Sequence, residues 1–180
     1  MIAHLASGGR WRLIFAAGVG FAGLAAVVVT ELEGPMPGAP AFALINESPS
    51  LPRGLYVRRL GAEPRRGEIV ALPQPAVAQP YLRGLGMPSE VLLIKRVGAV
   101  QGDEVCASGG RVTTPGRVVA VGRRDGRGVR LPVWRGCRRL ARDELFLLGD
   151  TPSSFDSRYF GPVRRADVAG VYGEMLTWRG

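Results

Sequence analysis

The chain has 180 residues, 46% of them apolar, and a formal net charge of +9. This apolar content suffices for the core of one globular domain and argues against a disordered chain. Two cysteines are too few for a zinc ribbon or a disulfide-dense mini-protein. The single histidine, His4, argues against a Ser-His-Asp hydrolase and against a histidine-ligated metal site. We therefore expect neither a metal nor a cofactor.

An apolar run near the N-terminus predicts a membrane anchor. Residues Leu13–Thr30 contain no charged residue and no proline over 18 positions. A helix of that length spans about 27 Å, close to the thickness of the bilayer's hydrocarbon core. Arg10 and Arg12 precede the run, whereas Glu31 and Glu33 follow it. By the positive-inside rule, the N-terminus stays in the cytoplasm and the rest of the chain is exported.

Two alternatives to an uncleaved anchor are a signal peptide cleaved at Ala41-Phe42-Ala43 and a buried core helix. The run is longer than the apolar region of a signal peptide, and it ends well before Ala43, which favours the anchor. The predicted organisation is a cytoplasmic N-terminus (1–12), a transmembrane helix (13–30), a linker (31–40) and one exported domain (41–180).

The exported domain is predicted to be mostly β-sheet. Short apolar or alternating runs follow the linker and are separated by Gly, Pro and Asp, a spacing typical of an all-β domain. A short helix within residues 75–86 is expected to be interrupted by Pro80. The nine predicted strands cover residues 41–46, 54–59, 68–72, 91–100, 104–107, 111–113, 117–121, 144–148 and 168–178.

The two cysteines, Cys106 and Cys137, both fall in the exported domain. In an oxidising compartment, such a pair predicts one disulfide. Two buried, unpaired cysteines are the alternative.

Lys95 is the only lysine among 24 basic residues, the others being arginines. Side chains alternate between the two faces of a strand, so Lys95 shares a face with Leu93 and Val97 while Arg96 points the other way. Burial between apolar neighbours lowers the pKa of a lysine, whereas a guanidinium stays protonated. The pattern indicates an amine that acts as a base. The alternative is a strand lysine that extends to the surface.

Ser50 is a candidate nucleophile. It lies in a turn that Pro49 and Pro52 stiffen, two residues after Ser48. A rigid turn holds a hydroxyl in place with little entropy left to lose. On spacing alone, an ordinary Ser/Pro-rich loop is the simpler interpretation.

The stretch 149–161, G-D-T-P-S-S-F-D-S-R-Y-F-G, combines hydroxyl groups, two carboxylates and an arginine. Asp156 and Arg158 can form an ion pair that fixes the loop. The alternative interpretation is a surface turn.

Four segments, in this order after an apolar anchor, resemble the type I signal peptidase family. Within it, they are most similar to the conjugative-transfer, TraF-type branch of pilin-processing serine peptidases. The resemblance implies a signal-peptidase-like antiparallel β domain tethered to one transmembrane helix. The stretch beginning at Gly149 is highly specific, and S-L-P-R-G-L-Y points to the TraF-type branch, whereas residues 107–143 are not diagnostic. The matching segments are residues 48–56, 66–72, 95–105 and 149–162.

The resemblance implies a role for each candidate residue. Ser50 corresponds to the nucleophile that attacks the scissile carbonyl. Lys95 corresponds to the general base that takes the serine proton and later delivers one to the leaving amine. The supporting positions are Ser154, which orients the lysine, Ser48 and the backbone N–H of Ser50, which form the oxyanion hole, and the ion pair Asp156 and Arg158.

The chain departs from the family pattern at four positions, none of which removes a catalytic group. Leu51 replaces the methionine that usually follows the nucleophile, and Gln101 replaces a proline. Thr151 and Ser153 replace asparagines. The first change affects packing beside the nucleophile, and the loop changes affect the range of substrates.

The predicted function is that of a membrane-anchored serine endopeptidase with a Ser–Lys dyad. We expect it in the bacterial inner membrane, with a cytoplasmic N-terminus and a periplasmic catalytic domain. It would cleave signal or leader peptides of exported precursors after small residues. By resemblance alone, the substrate is a conjugative pilin-like subunit.

The expected partners are this precursor, membrane lipid and components of a conjugation or type IV secretion apparatus. Nucleic acid is not expected, because the arginines extend from Arg10 to Arg179 and most of them lie in loops, such as residues 123–127, without interleaved aromatic residues. The alternatives are a general signal peptidase, a non-catalytic envelope component and a self-cleaving repressor of the LexA type. The acyl-enzyme could be resolved by water or by an internal amine, which would cyclise the product.

Overall fold

The computed structural model describes residues 40–178. The predictions for the N-terminus, the membrane anchor and all but the last residue of the linker therefore lie outside the described residues. Within the described part, eleven strands pair in antiparallel fashion in two sheets, which confirms the prediction of a mostly β domain. This part contains no helix that is long and apolar enough to cross a membrane.

The secondary-structure elements follow one another in short steps along the chain. They are β1 (Ala43–Asn46), β2 (Gly54–Arg58), β3 (Ile69–Leu72), α1 (Gln79–Gly84), β4 (Leu93–Ala99), β5 (Glu104–Ser108), β6 (Arg111–Thr114), β7 (Arg117–Ala120), β8 (Gly136–Arg139), β9 (Glu144–Leu148), α2 (Ser157–Phe160), β10 (Val163–Arg164) and β11 (Gly170–Thr177).

The larger sheet has the order β1-β2-β11-β3-β4-β9-β10 and contains most of the core. Both faces of β4 are covered, because Leu93 and Val97 pack into one apolar cluster while Ile94 packs into another. Burying each such side chain contributes about 1.5–3 kcal/mol. Lys95 shares the face of Leu93 and Val97, as its alternation in the sequence predicts, and is therefore placed in a dry environment.

The smaller sheet has the order β7-β6-β5-β8. Its inner side chains Val105 and Val112 form one apolar cluster with Phe146 and Leu148 of β9, which joins the two sheets. Cys106 of β5 lies directly opposite Cys137 of β8, and the two form a disulfide.

Three local features differ from the sequence-based expectation. The sequence does not predict strand β8, because Gly-Cys-Arg-Arg has no alternation of apolar and polar residues. All four residues are exposed, and the strand forms by pairing with β5. The two-residue strand β10 likewise carries too little pattern to predict. Pro80 does not interrupt the helix but lies in the first turn of α1, where its missing N–H has no partner to lose.

Candidate active site

The turn between β1 and β2 brings Ser50 against the middle of β4. Lys95 Nζ lies 2.9 Å from Ser50 Oγ, although the two residues are 45 positions apart in the chain. Each side chain is only 5% exposed. The structure therefore joins the candidate nucleophile and the candidate base in one buried hydrogen bond, within the distance that proton transfer requires.

Asn46, the last residue of β1, holds the turn in shape. Its buried amide nitrogen lies 3.0–3.1 Å from three backbone carbonyl oxygens of the turn, those of Ser48, Leu51 and Pro52. Its carbonyl oxygen accepts from the backbone N–H and the hydroxyl of Ser48. Sequence reasoning missed this residue, since an asparagine before a Ser/Pro-rich turn gives only a weak signal.

We expect Asn46→Asp to destabilise the protein and to reduce peptide cleavage. The substitution keeps the shape of the side chain but replaces the donating amide nitrogen by an oxygen that faces three carbonyl oxygens. Leaving buried acceptors unsatisfied costs about 1–3 kcal/mol, measurable by urea unfolding at neutral pH. Glu47→Gln, a change of similar size at the exposed neighbouring position, is the control. Unchanged stability of Asn46→Asp would show that the amide does not hold the turn.

Ser48 extends the hydrogen-bonded chain away from Lys95. Its Oγ lies 2.7 Å from Ser50 Oγ and donates to Asn46 Oδ1 at 2.8 Å. Either serine hydroxyl can donate in the contact between them, so the Ser50 proton can also point towards Lys95 Nζ when that amine is neutral. Lys95, Ser50, Ser48 and Asn46 thus form one continuous row of hydrogen-bonded side chains.

The dipeptide Gly149-Asp150 clamps the nucleophile from the other side. The backbone N–H of Asp150 donates to the carbonyl oxygen of Ser50 at 2.6 Å. The Asp150 carboxylate accepts two hydrogen bonds, at 2.8 and 3.0 Å, from the guanidinium of Arg96, the residue next to the candidate base. A Cβ at Gly149 would lie 2.8 Å from the Ser50 carbonyl oxygen and would collide with the Ser154 side chain, so only glycine fits.

The predicted ion pair between Asp156 and Arg158 is fully enclosed. The guanidinium makes two parallel 2.8 Å hydrogen bonds to the carboxylate, and the side chains are 0% and 1% exposed. Asp156 also caps the short helix α2 and accepts the backbone N–H of Gly149 at 2.8 Å. The remaining guanidinium hydrogens reach the carbonyl oxygens of Ala120, Thr151, Pro152 and Ser154.

Ser154 is buried beside Gly149, but its hydroxyl makes no hydrogen bond to Lys95. Its Oγ is the one buried side-chain oxygen or nitrogen among residues 40–178 without a hydrogen-bond partner. The role of Ser154 in orienting the lysine therefore stays a prediction. A buried hydroxyl without a partner is costly in a folded protein and needs an explanation, of which a catalytic role is one.

Burial lowers the pKa of Lys95 from 10.5 to about 8. The carboxylate of Asp156 raises the pKa of Lys95, whereas the guanidinium of Arg158 lowers it. The two charges of the ion pair therefore oppose each other, and desolvation is the largest influence. About a tenth of Lys95 is therefore neutral at pH 7, and this share rises with pH, so the amine can serve as a general base.

Two clefts flank the turn that carries Ser50. One, of about 620 Å³, lies between β1 and residues 87–94 and reaches Ser48. The other, of about 450 Å³, lies between residues 49–53 and Trp178. Leu51 is buried beside Tyr56. The part of the chain that the structure describes contains no group of three acidic, cysteine or histidine side chains placed to hold a metal ion.

Comparisons with known proteins agree on one family. A family model described as signal peptidase, peptidase S26, matches residues 14–177. Two Escherichia coli proteins, each named plasmid transfer protein TraF, are similar to the chain. One is 32% identical over 151 residues, covering 77% of this chain and 85% of the relative. The other is 30% identical over 176 residues, covering 91% and 96%.

A solved structure of a signal peptidase I from Enterococcus faecalis V583 also matches. It is 23% identical, covers 61% of this chain and 97% of its own, and aligns with a TM-score of 0.37.

Proposed function

Because the chain belongs to the signal peptidase family S26, we propose that it is a membrane-anchored serine endopeptidase with Ser50 as nucleophile and Lys95 as general base. One observation carries the proposal: the 2.9 Å hydrogen bond between Lys95 Nζ and Ser50 Oγ in a buried site. A neutral lysine performs the proton transfer that histidine performs in other serine hydrolases.

The reaction proceeds through two proton transfers at the same amine. Neutral Lys95 accepts the hydroxyl proton as Ser50 Oγ forms a bond to the scissile carbonyl carbon. The resulting ammonium then gives that proton to the departing amine as the peptide bond breaks, leaving an ester on Ser50. A water molecule or an internal amine of the substrate, deprotonated by Lys95, attacks the ester and releases the serine.

Ser48 and the backbone N–H of Ser50 are proposed to stabilise the oxyanion. The Ser48 hydroxyl lies within hydrogen-bond distance of the nucleophile and at the exposed rim of the site. Rotation of its hydroxyl hydrogen away from Asn46 would direct it towards a developing negative charge. A donor aimed at that charge contributes about 10²–10³ in rate.

The substrate is proposed to bind as an extended chain. Among residues 40–178, strand β1 is a terminal strand of the larger sheet, and no strand of this part pairs with its outer edge, which would offer backbone hydrogen bonds beside the nucleophile. The apolar cleft along that edge fits side chains that precede the scissile bond. The preference for small residues rests on the family resemblance.

Placement at the inner membrane has two supports. The first is the apolar run at residues 13–30. The second is an exposed apolar face next to the site, where Ile45 and Leu176 flank Leu55 in register and are 69% and 62% exposed. Side chains of this kind favour contact with the apolar part of a bilayer. Arg10 and Arg12, which precede the run, favour a periplasmic catalytic domain by the positive-inside rule.

A pilin-like conjugation subunit is the proposed precursor. The support is that two relatives carrying the name plasmid transfer protein cover most of this chain at 30% identity or more. Co-expression with pilin precursors encoded nearby, followed by mass spectrometry, tests the proposal. We expect a precursor shortened at one bond with the wild-type chain and an unprocessed precursor with Ser50→Ala. Processing by Ser50→Ala would overturn the proposal.

The rate of cleavage should rise with pH as one basic group, Lys95, loses its proton. Since the pKa of Lys95 is lowered to about 8, kcat/KM should rise about tenfold per pH unit below that value and level off above it. Peptide cleavage measured from pH 6 to 10 checks this. A profile that is flat over this range, or that falls as pH rises, would contradict a lysine base.

A further inference from the structure

The net positive charge of the chain comes from one segment. Residues 109–142, which include β6, β7 and β8, contain ten arginines and one acidic residue, Asp125. This segment alone therefore carries +9, the net charge of the whole chain. The remaining residues contain fourteen basic and fourteen acidic side chains. The arginines are spread along the chain, but the excess of positive charge is not.

Four exposed arginines of this segment converge on a concave surface of about 430 Å³, which we call the arginine pocket. A β-bridge between Arg124 and Arg130 fixes two of them opposite each other. The lining residues are Arg123, Arg124, Arg130 and Arg135, with Leu131 and Val133.

No carboxylate of residues 40–178 forms a salt bridge with the arginines of the pocket. Asp125 accepts the backbone N–H groups of Arg127 and Val129 in its own loop and the hydroxyl of Tyr81 from helix α1. Among the described residues, none of the four pocket arginines forms a salt bridge, whereas Arg138 nearby pairs with Glu144. The pocket therefore presents to one ligand several guanidinium groups that have no carboxylate partner, although Arg124 also donates to the carbonyl oxygen of Gly128 at 2.6 Å.

We propose that the arginine pocket binds the phosphate groups of anionic phospholipids at the membrane surface. Guanidinium groups match phosphate oxygens in geometry and charge. The proposal rests on the membrane tether of the proposed function, because a linker of ten residues keeps the domain within about 35 Å of the bilayer. Contact with anionic lipid would then fix the orientation of the domain and so of its active site.

Nucleic acid fits this pocket less well. Single strands bind to basic grooves that also offer exposed aromatic side chains on which bases stack. The lining of the arginine pocket contains no aromatic residue. Trp134, the nearest indole in sequence, packs against Phe146 of the core, with the ring centres 5.3 Å apart.

Hydrogen–deuterium exchange of the full chain in nanodiscs tests the proposal. One set of discs contains only phosphatidylcholine, and the other contains about one third phosphatidylglycerol. We expect slower exchange of amides in residues 122–136 in the anionic discs, and loss of this protection at high salt. Equal exchange in both discs would overturn the proposal.

A triple substitution, Arg123→Gln, Arg130→Gln and Arg135→Gln, should abolish the lipid-dependent protection. Each basic side chain at an anionic surface contributes about fivefold to the docking equilibrium, so three together contribute about 100-fold. The control is Arg65→Gln, Arg83→Gln and Arg164→Gln, three exposed arginines outside the segment, which lower the net charge equally. Protection that is lost equally in both triple variants would contradict a specific pocket.

Two further measurements separate the possible outcomes. Inorganic phosphate or a single-stranded oligonucleotide that gives the same protection in neutral discs would assign the pocket to a soluble phosphate or to nucleic acid and overturn the lipid proposal. Cleavage of a soluble peptide in neutral discs shows that the pocket variant is folded. It also tests the proposed peptidase function independently, because the difference in amide exchange between anionic and neutral discs can persist in a chain that does not cleave peptides.

Discussion

Lys95→Arg should abolish peptide cleavage, with a loss in kcat/KM on the order of 10⁴-fold. The substitution preserves positive charge and much of the side-chain length. It removes the neutral form, because the pKa of a guanidinium stays above the working pH even when the group is buried. The buried position that lowers the pKa of Lys95 to about 8 cannot do the same for arginine.

Arg96→Lys is the matched control for this experiment, because it changes the neighbouring basic residue on the opposite face of β4. Arg96 holds Asp150 but does not contact Ser50 Oγ. We expect this variant to retain measurable cleavage. Substantial activity of folded Lys95→Arg, verified by circular dichroism and thermal unfolding, would contradict the Ser–Lys mechanism.

Arg158→Met should lower the free energy of unfolding by about 3–5 kcal/mol, because it leaves the carboxylate of Asp156 buried without a counter-charge. It also removes four contacts to backbone carbonyl oxygens of the surrounding loops. The Arg158→Met protein that remains folded should also show a changed pH dependence of cleavage. Loss of Arg158 removes a group that lowers the pKa of Lys95 while Asp156 continues to raise it, so the rise of activity with pH should move to higher pH.

The double variant Asp156→Asn, Arg158→Met separates these effects. Without the charge of Asp156, the cost of an unpaired buried carboxylate disappears, so the double variant should be more stable than Arg158→Met alone. Urea unfolding of the wild type, Asp156→Asn, Arg158→Met and the double variant gives the coupling energy between the two side chains. A coupling energy near zero would mean that the pair does not stabilise the loop as its geometry indicates.

The two catalytic candidates were accessible from the sequence because each is chemically conspicuous. Lys95 is a lone lysine in a chain of arginines, and strand alternation places it among apolar residues that the structure shows to be buried. Ser50 lies between two prolines. The 2.9 Å contact that joins them could not be read from spacing, since it depends on how the turn after β1 folds onto β4.

The supporting residues were harder to foresee. Asn46 and Asp150 act through backbone groups of the nucleophile turn, and such contacts leave no periodic pattern in a sequence. Strand β8 exists because Cys137 and its neighbours pair with β5, although their own side chains are exposed. In both cases, a distant partner decides the local structure, which propensity and alternation do not encode.

Covalent labelling with a peptide phosphonate, mapped by mass spectrometry, tests the Ser–Lys assignment most directly. Such a probe leaves a stable adduct on an activated serine, so it reports the nucleophile without requiring the natural substrate. We expect one adduct, on Ser50, forming faster as pH rises and levelling off above about 8. Lys95→Arg should remain unlabelled. An adduct on another residue, or labelling of Ser50 at the wild-type rate in Lys95→Arg, would contradict the dyad.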